Sequence, residues 1–119
     1  MTDVLHVEAR SDTPIACDMR TARDTPEERL GTYGALFGRA LLRRERRPGA
    51  VVFAFRAAAG VRDTVDGLAR REALCCAFLD QRVETAGDEV VWTIAGDARF
   101  GVDDVLDAFH TLPADLTHR

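Results

Sequence analysis

One helix-length stretch, VRDTVDGLARREALCC from Val61 to Cys76, limits what this chain can fold into more than any other. At about 100° per residue, Val61, Val65, Leu68, Glu72, Cys75 and Cys76 share one stripe, while Arg62, Arg70 and Arg71 project elsewhere. A helix with a single apolar stripe must bury it against another element, so the fold has to provide a covering layer. Glu72 stands in the middle of that stripe. A carboxylate there is costly unless it is protonated, hydrogen-bonded or paired with a cation or metal.

The rest of the chain supplies the layer. PIACDM, Pro14 to Met19, is a short apolar run that reads as a first strand ending near Cys17. In RDTPEERL, Thr25 can cap a helix, Pro26 suits its first position and Glu28 completes capping-box spacing. Leu30, Tyr33, Phe37 and Leu41 recur at helical spacing, and Arg43, Arg44, Arg46 and Arg47 then read as a basic last turn stopped by Pro48 and Gly49. AVVFAFRA, Ala50 to Ala57, is the clearest strand. FLDQRVE and EVVWTIA flank a turn at TAGD and read as a hairpin, and a last helix fits Val102 to Leu112, ended by Pro113. The order β-α-β-α-β-β-α predicts an α+β two-layer sandwich of about four strands covered by helices. We assign 1–12 as a flexible N-terminal segment, 13–113 as one domain and 114–119 as a tail, with no internal repeat.

Composition narrows the function. With 119 residues, 46% hydrophobic and 30% charged, the chain is of ordinary globular type. Its formal net charge of −4 offers no general attraction to phosphate backbones, so nucleic acid is excluded as the expected partner. No apolar run approaches the roughly 20 residues that span a bilayer, and MTDVLHVEARSD has no basic leader, which together predict a cytoplasmic protein without a membrane partner. In a reducing cytosol the three cysteines would remain thiols. Lys is absent and all 16 basic residues are Arg, a bias expected of a GC-rich bacterial genome.

Cys75 and Cys76 lie one turn after Glu72, and Cys17 ends a strand that can pair beside this helix. If the three sulfurs converge, they form a soft ligand set for Zn, Cu(I) or Hg(II), with Glu72 as auxiliary ligand, because deprotonated sulfur binds such ions far better than oxygen does. The alternative is a small enzyme without an organic cofactor, in which Cys76 is the nucleophile and Glu72 the acid or base acting on a small molecule. A thiolate at a helix C-terminus gains nothing from the dipole, and a neighbouring carboxylate raises rather than lowers its pKa, so metal or soft-electrophile binding is the preferred reading. The plainest alternative is a structural or dimerising module whose cysteines only fill space. A homodimer is compatible with any of these.

PIACDM, RERRPGAVVFAFRA, LARREALCCAFLDQRVETAGDEVVWTIAG and the later VLDAF resemble a family of small bacterial proteins. Its pattern is an IAC strand, a helix ending in E-x-x-C-C-x-F, a hairpin and a last helix, and the resemblance runs from Pro14 to Leu112. Cys17 matches the strand cysteine, Glu72 the helix glutamate, Cys75 and Cys76 the pair, and Phe78 the aromatic that follows. Association of such proteins with heavy-metal regulators of the MerR class implies a link to thiophilic metals. The chain departs from the pattern at Ala77, where proline is common, and at Gln81, where an aromatic is common. The second departure makes the wall near the pair more polar.

The remaining candidates have simpler readings. His110 sits at the edge of the stripe Val102, Val105, Leu106 and Phe109 and reads as a rim histidine, while His6 and His118 fall in the expected terminal segments. Trp92, Phe53 and Phe55 alternate along strands and read as core.

Overall fold

The computed structural model describes residues 24–117. Helix α1 (Pro26–Ala40) leads into strands β1 (Leu41–Arg47) and β2 (Ala50–Arg56). Helix α2 (Val61–Cys75) leads into β3 (Asp80–Ala86) and β4 (Glu89–Ala95), and after a 3-10 turn at Ala98–Phe100 the helix α3 (Asp103–Thr117) follows. The four strands form one antiparallel sheet in the order β1-β2-β4-β3. The result is an α+β two-layer fold. The expected strand at Pro14–Met19, with Cys17, lies outside the described residues.

Helix α1 begins where its capping box dictates. Thr25 Oγ1 accepts from the Glu28 amide at 3.0 Å, and the Thr25 amide donates to Glu28 Oε1 at 2.8 Å, so two amides without helical partners are satisfied reciprocally. Its far end corrects the sequence reading. Residues 41–47 are not the basic last turn of a helix but the edge strand β1, which Pro48 and Gly49 fold back onto β2. Tertiary partners override the helical pattern here: Arg44 donates to the His110 carbonyl at 2.7 Å, Arg46 pairs with Asp103 and Asp107, and Arg43 reaches Glu89 with two hydrogen bonds of 2.8 and 2.9 Å. An arginine-rich edge also discourages pairing with a foreign strand.

One sheet face carries the core. Val51, Phe53, Phe55, Val90, Trp92 and Ile94 alternate inward and are buried beneath Tyr33, Leu36 and Phe37 of α1, the α2 stripe, and Leu106, Phe109 and Leu112 of α3. The rings of Tyr33 and Trp92 stack with centroids 6.0 Å apart and planes 9° apart. Helix α3 runs through Pro113 to Thr117 instead of stopping at Leu112, so residues 114–117 continue a helix where a tail was expected. Proline removes one helical hydrogen bond, but Leu112 and Pro113 are both buried, and that packing offsets the loss. Among the described residues no helix is long and apolar enough to cross a membrane.

The β1–β2 turn depends on a glycine. Gly49 has φ 73°, and a Cβ added there would stand 3.1 Å from the Gly96 carbonyl oxygen, whose own amide donates to the Gly49 carbonyl at 2.9 Å. Gly49→Ala should destabilise by about 1–3 kcal/mol, whereas Gly38→Ala, in open space on α1, should stabilise by about 0.5–1 kcal/mol. Equilibrium urea unfolding of both variants measures the difference; equal effects would contradict this account of the turn.

Candidate functional site

Every member of the predicted α2 stripe is buried, including Glu72 at 0% exposure, Cys75 at 8% and Cys76 at 0%. Two residues of α1 provide the partners that Glu72 requires. Tyr33 donates its hydroxyl to Glu72 Oε2 at 2.8 Å, and a guanidinium nitrogen of Arg29 lies 3.4 Å from the same oxygen. Among the described residues, Glu72 Oε1 has no hydrogen-bond partner.

Arg29 joins the whole cluster. It is only 1% exposed, grips Asp24 at 2.7 and 3.2 Å, and donates to Cys75 Sγ at 3.5 Å. Arg71 reaches Oδ2 of the same Asp24 at 2.9 Å. The site therefore consists of Asp24, Arg29, Tyr33, Arg71, Glu72 and Cys75, with Cys76 closing the helix: its amide donates to the Glu72 carbonyl at 2.7 Å.

Electrostatics follow from this sharing. Two hydrogen-bonding guanidinium groups, Arg29 foremost, hold Asp24 down to about 2 against its ordinary 3.8. Burial pushes Glu72 above the usual glutamate range, and the Tyr33 hydroxyl and the already committed Arg29 only partly oppose it. Burial also raises Cys75, with Arg29 pulling the other way. Tyr33 is raised well above its ordinary value by burial and then by Glu72. Burial alone would lower Arg29, yet its hydrogen bonds to Asp24 and Cys75 and its attraction to Glu72 together keep it firmly protonated. Cys75 is thus a thiol raised by burial beside a permanent cation, and Glu72 is a carboxyl raised by burial against the pull of the same cation.

Cys76 is disulfide-bonded, where three thiols were expected. Its complete burial shields the sulfur from exchange with solvent thiols, which favours persistence of such a bond. As a metal ligand or nucleophile Cys76 is competent only after reduction. Cys17, the third expected sulfur, lies outside the described residues. Among the described residues there is no group of three or more His, Cys, Asp or Glu side chains positioned to hold a metal ion.

Arg29 and Asp24 were absent from the sequence reading. Arg29 stands four and eight residues before Tyr33 and Phe37, which puts it on the inward face of α1; that was the available signal. Tyr33, expected only as one of the helically spaced residues of α1, lies in the core, and its hydroxyl belongs to the site. Gln81 accepts from Trp92 Nε1 at 2.8 Å, so the polar wall expected at this position serves the indole. His110 is a half-buried rim residue, its pKa lowered by burial and then by Arg44 and Arg46. Against known proteins, the chain matches no family model, no curated protein and no solved structure.

Asp24 and Glu72 should shape stability in opposite ways. Asp24 is depressed by folding, so its stabilisation is present above pH 3.8 and disappears as pH falls from 3.8 through about 2. The amount is about 1–2 kcal/mol after allowance for solvent screening, and Asp24→Asn should lack that acid limb. Glu72 is raised by folding, so its favourable contribution is complete below the unfolded value and is lost as pH rises through the folded value. Glu72→Gln should flatten this second limb while leaving the first. Unfolding free energies of the three proteins as a function of pH measure both slopes.

Proposed function

We propose that the protein binds a soft metal ion (Zn(II), Cu(I) or Hg(II)), or a related soft electrophile, at a centre built around Cys75, with Glu72 as auxiliary ligand or proton carrier. The observation that carries this reading is the buried Arg29 guanidinium, held by Asp24 and shared between Cys75 Sγ and the carboxyl of Glu72. A thiol that becomes a ligand must lose its proton, and a fixed cation 3.5 Å away stabilises the thiolate that results. Glu72 Oε1 has lone pairs that no described residue uses. The resemblance to proteins associated with heavy-metal regulators points the same way.

The full ligand set requires reduced Cys76 and contributes Cys17 as its third sulfur. Native mass spectrometry of reduced protein, with the reductant removed anaerobically before zinc, copper(I) or mercury(II) is added, tests the reading. A one-to-one adduct is expected from reduced protein only. It should be lost in Cys75→Ser and in Cys17→Ser, and weakened roughly 10- to 100-fold in Glu72→Gln. No adduct, or one indifferent to Cys75, would remove the proposal.

A second reading rests on the raised pKa of Glu72. Burial strengthens the hold of this carboxyl on a proton, which suits it to the acid or base role that an enzyme without an organic cofactor would require toward a small molecule. The nucleophile is then Cys75 or, after reduction, Cys76. This reading demands turnover, abolished in Glu72→Gln, where the binding reading demands only stoichiometric capture.

A further inference from the structure

The second face of the sheet is built differently from the first. Strand alternation directs Arg43, Glu45 and Arg47 of β1, Ala50, Val52, Ala54 and Arg56 of β2, Glu89, Val91, Thr93 and Ala95 of β4, and Asp80, Arg82 and Glu84 of β3 away from the core. Val52 and Ala54 are well covered, at 9% and 2% exposure, yet neither belongs to the core cluster. The middle of this face carries small residues, one end of it is charged through Arg56 and Glu89, with Arg43 spanning β2 to reach Glu89, and both edges are charged.

Strand register puts those charges into order. One row across the sheet is Arg43, Ala54, Val91, Glu84; the next is Glu45, Val52, Thr93, Arg82; the third is Arg47, Ala50, Ala95, Asp80. Each row ends in opposite charges, and the sign alternates from row to row. The two ends of a row are three strand spacings apart, about 14 Å, too far to pair within one chain. Asp80, Arg82 and Glu84 are exposed and enter none of the ion pairs among the described residues.

We propose that this face binds a second copy of the chain, face to face, about a two-fold axis parallel to the strands. Such a rotation lays the β1 edge of one copy over the β3 edge of the other and leaves the rows in register. Glu45 then faces the partner's Arg82, Arg43 the partner's Glu84, and Arg47 the partner's Asp80, and the symmetry repeats each pair. The small residues in the middle of the face favour aligned sheet packing, and at its charged end the same rotation sets Arg56 over the partner's Glu89. Glu45 and Arg82 carry the pairing most cleanly, because Arg43 is already held by Glu89. Glu45 also meets Arg47 at 2.7 Å, but both side chains are more than half exposed, where an ion pair contributes little and is readily shared.

Four strands of seven residues cover about 20 by 23 Å, or on the order of 450 Å² per copy, roughly half of a standard interface. The dimer should therefore dissociate in the micromolar range and weaken with salt.

Sedimentation velocity of the full chain across the micromolar range tests this with Arg82→Glu, Glu45→Arg and an equimolar mixture of the two. Each single variant sets like charges against each other in its own homodimer and should raise the dissociation constant about tenfold or more. In the mixed dimer, glutamate at 82 faces arginine at 45 and Glu45 faces Arg82, so mixing should restore association to within about threefold of the original. Both positions are exposed, and circular dichroism verifies that each variant is folded. A wild-type chain that stays monomeric throughout, single variants that dimerise unchanged through some other face, or a mixture that fails to recover would each overturn the proposal.

Discussion

A guanidinium buried to 1% exposure is the element on which the site depends. Taking Arg29 out of water costs several kcal/mol, and the bidentate grip of Asp24, itself steadied by Arg71, is what makes that position tolerable. Once placed, the cation sets the state of its neighbours. It limits how far burial can raise Glu72 and Cys75, and it ties α1 to the end of α2 through a contact 46 residues apart in sequence. Removing it would strand Asp24 and Glu72 in a poorly solvated setting, which is the expensive way to break a buried pair. The same cation that holds two helices together is the charge against which a thiolate at Cys75 would form.

Much of this architecture was legible where local and tertiary preferences agree. Val61 to Cys75 is a helix with the stripe its spacing dictated, Thr25 and Glu28 fix the start of α1, and the hairpin of β3 and β4 follows from alternating residues around Gly87. Where they disagree, the local pattern points to the wrong element. Leu41 continues the helical period of Leu30, Tyr33 and Phe37, so nothing local announces that the chain has become a strand; the decision is made by β2 and by acidic residues of α3 far along the chain. Pro113 misled for a similar reason, since the packing that keeps α3 continuous is invisible in its own segment. For the site, an inward carboxylate could be recognised from its stripe, but which cation answered it could not. That depended on how α1 lies across α2.

The described chain has a simple internal rhythm. Helix, strand, strand occurs twice, as α1-β1-β2 and as α2-β3-β4, and the two hairpins join through β2 and β4 at the centre of the sheet. No sequence repeat announces this. The two units have different tasks: the first hairpin carries basic residues at its edge, whereas the second follows the helix that bears Glu72 and the cysteines. The site forms between the two leading helices, so neither unit contains it alone.

The stack of Tyr33 on Trp92 has a consequence of a different kind. Trp92 is the single tryptophan of the chain, and the ring it faces belongs to the residue whose hydroxyl holds Glu72. The indole nitrogen is fixed at its other side by Gln81. Any displacement of Tyr33, whether from a proton leaving Glu72 or from a ligand drawing the carboxyl away, alters the surroundings of one chromophore and of no other like it. The core thus contains an optical reporter of its own site, readable by intrinsic fluorescence without a label.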